Sequence, residues 1–299
     1  MTIPRRLSAV AAIALVAAAL AGCSAEGPFQ VRSSATQAFD QAVAAAPDLK
    51  VRVEMFNGSI EVRAGKEGTI HAAVRTTGVG ANGGEADADR LRIQVTLDVN
   101  PDGSVLLRAR YQPNPNSPGN RSASAVVDLP PGAALDLRTS NGAVTTTGVT
   151  GAVDARTSNG AVSLAGLESG ATVRTTNGAV EIDGTGLLDV QTTNGRVSIR
   201  GTGATLAVRT SNGDVSFEGT FSDALQSLST TNDTIAVRLP AAAGFSLDAR
   251  TTNAEVTLDG FAISTTGSAN GVAMQGIVGA GGPWVVLRTT NAAIVVSAQ

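Results

Sequence analysis

One phrase is rewritten along this chain, and its period limits the fold more than any other feature. Thr-Ser-Asn-Gly-Ala-Val stands at 139–144 and 157–162, Thr-Thr-Asn-Gly-Ala-Val at 175–180, Thr-Thr-Asn-Gly-Arg-Val at 192–197 and Thr-Ser-Asn-Gly-Asp-Val at 210–215. Asn232, Asn253 and Asn291 mark weaker copies without the glycine. From Asn141 the asparagines advance by 18, 18, 17, 18, 20, 21 and 38 residues. A fixed period of this size is the mark of a solenoid, in which each repeat buries its apolar face against its neighbours.

Within residues 152–166, Val153, Ala155 and Thr157 share one parity while Asp154 and Arg156 take the other. That is the alternation of a half-buried strand. Beyond Asn159-Gly160 the apolar parity passes to Val162 and Leu164, so the chain bends there. The bend is read as needing a positive φ, which glycine accepts freely and asparagine tolerates. Asn-Gly is also the strongest hairpin signal, and a meander of hairpins is the alternative. Parallel stacking is preferred because each half-repeat matches its counterpart one period later better than it matches its neighbour. The expected fold is all-β: a single-stranded parallel β-solenoid of about 18 residues per coil. It is read as right-handed, the default for crossovers between parallel strands. A left-handed hexapeptide helix also has 18 per coil, but Val144, Val162 and Val180 fall one residue off its grid.

Stacking turns the repeats into rows, with like residues about 4.8 Å apart. Thr139, Thr157, Thr175, Thr192, Thr210, Thr230, Thr251 and Thr289 form an inward row. Asn141, Asn159, Asn177, Asn194, Asn212, Asn232, Asn253 and Asn291 form a structural ladder whose amides bond along the column and so offset the cost of burying them. Outward, Arg138, Arg156, Arg174, Arg209, Arg250 and Arg288 share one position, taken by Gln191 and Ser229 in two other coils. Asp136, Asp154, Asp189 and Asp248 precede that row by two residues, and Ser or Thr at 140, 158, 176, 193, 211, 231, 252 and 290 follows it by two. Either each Arg is neutralised by an Asp, in exposed pairs that contribute about 0–1 kcal/mol each, or the stripe binds an anionic or hydroxyl-rich polymer through guanidinium forks.

The chain starts with Arg5 and Arg6, then an apolar run from Leu7 to Leu20, then Leu20-Ala21-Gly22-Cys23. The run is short for a membrane span and suits a signal peptide. It resembles a bacterial lipobox, which implies cleavage before Cys23, a diacylglycerol thioether on it, and attachment to a cell membrane or outer membrane. Residues 1–22 are thus read as a lipoprotein signal peptide, 23–49 as a tether or entry segment leaning to strand and loop, and 50–299 as one solenoid domain. In that domain 50–130 hold the first coil and a cap of longer strands, and 131–299 the repeat array. Asn270-Gly271 is read as a degenerate coil. The final apolar strand at 293–296 shows no partner in the sequence along its outer edge, which is read as covered either by 261–283 or by another molecule.

Cys23 is the only cysteine, so internal disulfides and cysteine metal clusters are excluded. His71 is the only histidine and lies outside the array, which excludes a Ser-His-Asp set on the coils and a histidine zinc site. Phosphate-loop and calcium-repeat motifs are absent, and no cofactor is expected. The formal charge is −3, and losing Arg5 and Arg6 makes the chain more acidic, so nucleic acid is not an expected partner. Glu181 with Asp183, or Asp214 with Glu218, are the carboxylates that a glycan-cleaving enzyme would need; scattered surface acids are the commoner explanation, and no catalytic residue is assigned.

The Asn-Gly-x-(Val/Ile) units at about 18 residues, the Phe56-Asn57-Gly58-Ser59-Ile60-Glu61-Val62 coil and the Leu287-Arg288-Thr289-Thr290-Asn291 ending together resemble the bacterial family named "putative adhesin", related to autotransporter-adhesin head domains. The resemblance covers about 50–299. It implies a β-solenoid on exported envelope proteins, often lipoproteins, of unassigned function and without catalytic residues to carry over. The chain departs from the pattern at Asn232-Asp233, Asn253-Ala254 and Asn291-Ala292. The expected role is a lipid-anchored adhesin or binding scaffold whose Arg/Ser/Thr face meets a surface glycan or envelope protein. The alternatives are a structural or stress-related scaffold that self-associates, as a homodimer, through its C-terminal edge, a glycan-active enzyme and, remotely, an ice-binding surface.

Overall fold

A computed structural model describes residues 31–43, 49–113, 119–269 and 271–299, with the side chains of 265–270 left out. Residues 1–22 and Cys23 lie outside the described residues. Each repeat contributes two short strands, because apolar parity favours strands and the Asn-Gly phase change ends each one. Val153–Arg156 pairs in parallel with Ala134–Arg138 before it and Ala171–Arg174 after it. Val162–Leu167 does the same with Val144–Thr147 and Val180–Gly184. The partners are like residues: Val153 lies beside Leu135 and Ala171, and Val162 beside Val144 and Val180. The hairpin alternative is thereby overturned for the array. Val, Leu, Ile and Ala of both strand sets point inward and form one continuous core.

The ends depart from chain order. At the N-terminal end, Lys50–Glu54 pairs with both Val105–Tyr111 and Ala134–Arg138, and Ile60–Ala64 with both Ser122–Leu129 and Val144–Thr147. At the other end, Trp284–Arg288 sits between Gln226–Ser229 and Phe245–Arg250, and Ile294–Ala298 between Ile235–Leu239 and Val256–Asp259. The first and last coils in sequence are therefore each wedged one place inside the stack. This corrects the reading of 293–296 as an open edge: that strand is paired on both sides, so it offers a second copy no free backbone edge. Residues 261–283 are not a coil either. Ile263–Ala269 and Ala273–Val278 form an antiparallel hairpin laid against Phe245–Arg250. At the opposite end Val31–Ala42 and Thr69–Gly80 add antiparallel strands, so part of segment 23–49 belongs to the folded body. A helix, Gly83–Arg90, appears there that periodicity did not reveal.

The bends show why the phrase recurs. None of Gly58, Gly142, Gly160, Gly178, Gly195 or Gly213 has a positive φ, and of the bend asparagines only Asn57 does. Glycine is required for closeness instead. A Cβ on Gly178 would lie 1.8 Å from the Gly160 carbonyl oxygen, and one on Gly160 would lie 1.8 Å from that of Gly142. That approach lets Thr157 Oγ1 donate to the Gly142 carbonyl at 3.0 Å and Thr230 Oγ1 to that of Gly213 at 3.2 Å.

The asparagine side chains bond in one direction along the stack. Asn141 donates to Asn57, and Asn159, Asn177, Asn194, Asn212 and Asn232 each donate to the asparagine before, at 2.5 to 2.8 Å. Asn291 donates to Asn232 and Asn253 to Asn291, which traces the wedged last coil. These amides are exposed, so the ladder offsets no burial cost. Asn177→Ala removes one donated and one accepted bond and should cost about 1–2 kcal/mol in urea unfolding. Asn177→Asp should cost more at neutral pH, because its carboxylate faces the Asn159 oxygen with no proton to donate. That excess should shrink as the carboxyl protonates in acid.

Candidate binding face

The first strand of each coil turns alternate side chains outward, and parallel register aligns them. Arg138, Arg156, Arg174, Gln191 and Arg209 are successive partners, followed by Ser229, Arg288 and Arg250. One row over stand Asp136, Asp154, Thr172, Asp189, Ala207, Ser227, Val286 and Asp248, in the same register.

Five of the six arginines are closed on carboxylates. Arg138 meets Asp136 at 2.8 Å and Arg156 meets Asp154 at 2.7 Å within their own strands. Arg174 reaches across to Asp189 at 2.7 Å. Asp248 serves two cations, Arg288 at 2.5 Å and Arg250 at 3.1 Å. Burial pushes the Asp248 carboxyl up, but the hydrogen bond from Arg288 and the charges of Arg288 and Arg250 outweigh it and hold the group below its ordinary range. The hydrogen bond to Asp136 raises the Arg138 guanidinium further. At the N-terminal end Glu54 takes the arginine position; its hydrogen bond from Arg108 and the nearby charge of Arg52 lower its carboxyl.

Arg209 differs. It is exposed, it makes no ion pair or hydrogen bond among the described residues, and Ala207 stands where an aspartate would. Beside it lies a shallow pocket of about 100 Å³ lined by Asp189, Gln191, Ala207, Ser227 and Ser229. Sequence comparison of the rows missed this, although Ala207 and Ser227 break the aspartate row at that point. It also left Asn57 out of the ladder, although Asn57-Gly58 carries the same phrase.

Of the carboxylates considered for catalysis, Glu181 and Asp183 stand two residues apart, both exposed, on strand Val180–Gly184, and Asp214 lies 3.4 Å from Arg196. Asp183 and Glu218 share an open trough of about 500 Å³ with Glu168, Arg200 and a floor of Gly166, Gly184, Gly201 and Gly219. Register places Arg200 between Asp183 and Glu218, 3.6 Å from the latter. Glu181 does not line the trough. Among the described residues no cluster of His, Cys, Asp and Glu has the geometry to hold a metal ion, and no helix is long and apolar enough to cross a membrane.

The family model described as Toastrack DUF4097 matches residues 48–277. The chain belongs to the Toastrack DUF4097 family. The Toastrack match ends before the last coil, Trp284–Ala298, although that coil lies inside the stack. No curated protein sequence matches. Among solved structures, the Toastrack chain is similar to a "putative cell adhesion protein" from Clostridium sporogenes at 12% identity, over 88% of this chain and 100% of that one, with a TM-score of 0.28. It is also similar to a "putative adhesin" from Bacteroides fragilis at 10% identity, over 88% and 97%, with a TM-score of 0.32.

Proposed function

We propose that this Toastrack protein is an exported cell-envelope protein, lipid-anchored at Cys23, whose right-handed coils of about 18 residues hold a flat face toward a surface polymer or an envelope protein. The observation that carries the reading is the contrast along the arginine row. Arg138, Arg156, Arg174, Arg250 and Arg288 are neutralised in place, whereas Arg209 makes no ion pair among the described residues and the one carboxylate of its pocket, Asp189, is taken by Arg174. A paired arginine holds the face together; an arginine without an anion supplies binding energy to a ligand carboxylate or phosphate. The closed pairs themselves favour a second reading, a scaffold that binds nothing on this face.

Retention of the purified domain on isolated envelope material separates the two. Arg209→Glu should lower retention at least about tenfold, the range expected for loss of a central anchor, and Arg156→Glu or Arg174→Glu by less. Equal retention in all three variants supports the scaffold. Anchoring has its own readout: Cys23→Ser should abolish incorporation of labelled palmitate.

A further inference from the structure

Four of the most exposed large apolar side chains fall in a single outward row on the same face, on the far side of the aspartate row from the arginines. Leu187 is partnered by Thr205, Trp284 by Ser246, and Ser246 by Ile277. Leu225 and Trp284 immediately precede the paired Gln226 and Val285, so they are neighbours too. The row reads Leu187, Thr205, Leu225, Trp284, Ser246, Ile277 and runs about 24 Å along the stack. Its apolar members are 57%, 60%, 52% and 43% exposed. Beside it, Ala207, Ser227 and Val286 interrupt the aspartates, so the apolar strip widens toward Arg209.

Charge on this stretch is unbalanced. Asp248 serves both Arg250 and Arg288, and Arg209 makes no ion pair among the described residues, Asp189 beside it being taken by Arg174. A surplus of cations therefore flanks the apolar row on a chain of formal charge −3. That surplus disfavours a second copy, which would bring like charge against like. The four apolar members carry one aromatic ring among three aliphatic side chains, a composition suited to side chains more than to sugar rings. Trp and Arg are the residue types that anchor protein interfaces.

We infer that the Leu187–Leu225–Trp284–Ile277 row with Arg209 is a docking surface for a protein segment that carries an apolar strip and, about 13 Å from it, carboxylates. This rests on the binding reading above and names the partner's chemistry.

The sole tryptophan is its own reporter. The probes are a displayed library of random dodecapeptides selected on the full chain, peptides from that selection, and polygalacturonate. Peptides that combine Leu, Ile or Phe with Asp or Glu should emerge. They should shift Trp284 emission to the blue, weaken with salt, and lose at least about tenfold in affinity in Arg209→Glu and in Leu225→Asp. Asn177→Ala serves as the folded control and should bind normally. The inference is overturned by selected peptides without acidic residues, by affinity unchanged in either variant, by a blue shift with polygalacturonate alone, or by concentration-dependent dimers that vanish in Leu225→Asp. Envelope retention that needs Arg209 while peptides fail keeps the binding reading and removes this partner; retention indifferent to Arg209 removes both.

Discussion

Gly178→Ala should destabilise the solenoid by about 3 kcal/mol or more, or prevent folding. The added Cβ would lie 1.8 Å from the Gly160 carbonyl oxygen, backbone that is fixed by the coil beneath. Overpacking of this kind costs about 1–3 kcal/mol even where side chains can move aside, and here the opposing group is main chain. The clash also forces apart two coils whose threonine and asparagine bonds depend on the same spacing: Thr175 Oγ1 donates to the Gly160 carbonyl and Asn177 to Asn159. Gly178→Asn distinguishes the cause. A glycine kept for its left-handed conformation would be replaced well by asparagine, whereas one kept for space would not. Both variants should fail alike in urea unfolding. Gly83→Ala is the control, since nothing lies within 4 Å of a Cβ there and alanine suits a helix; it should hold or gain a few tenths of a kcal/mol. Gly178→Asn with wild-type stability would restore the positive-φ explanation.

The same bend shows how much was legible in the sequence. Period and parity were enough to place like beside like, because register follows from which side chains face the core. Val153, Ala171 and Val162, Val180 stand in the register their spacing implies. Why glycine stands at the bend was not legible. A glycine needed for φ and one needed for space look the same until the neighbouring coil is in position. Chain order at the ends was also hidden. Ile294–Ala298 reads as a last strand, and nothing local to it says that Val256–Asp259 lies outside it. The arginine row is legible as a row, but whether each guanidinium is closed depends on rotamers and on which carboxylate the next coil brings. Arg174 passes over its own strand, where Thr172 stands, to reach Asp189. The exposed apolar row escaped notice because its members sit at unequal sequence spacings, Leu187, Leu225, Trp284 and Ile277, and come into line only once the last coil is wedged and the hairpin reverses direction. Helix Gly83–Arg90 carries little apolar period, since only Ala86 and Asp89 are buried.

That buried aspartate gives the other large expected effect. Asp89 is 3% exposed and accepts from Arg121 at 2.7 Å, from Tyr111 at 2.9 Å and from the Val79 backbone N–H at 3.1 Å. It thereby ties the helix to strand Thr69–Gly80 and to the start of Ser122–Leu129, the layers that close the N-terminal end. Burial pushes its carboxyl up, and the bonds from Arg121, Val79 and Tyr111 outweigh burial and hold it below the ordinary value. A carboxyl depressed on folding stabilises the fold above its unfolded pKa and loses that contribution as pH falls through the folded one. The cap should therefore weaken in acid, below the ordinary carboxylate range, and not in base. Asp89→Asn removes the anion and leaves the Arg121 cation, 11% exposed, facing a neutral amide. Breaking a buried pair from one side costs about 3–5 kcal/mol. Replacing both partners, as Asp89→Leu with Arg121→Met, should recover much of that loss. In a stack where each layer touches only its neighbours, the loss need not spread. The only tyrosine, Tyr111, sits at this end, its ring 4.5 Å from the Arg121 guanidinium carbon, and the only tryptophan, Trp284, lies near the other. In urea, Asp89→Asn should shift the Tyr111 transition to lower denaturant and leave the Trp284 transition in place, with the low-pH loss confined to the tyrosine signal. Equal shifts in both signals would show that the coils unfold as one unit and that the cap holds the whole array.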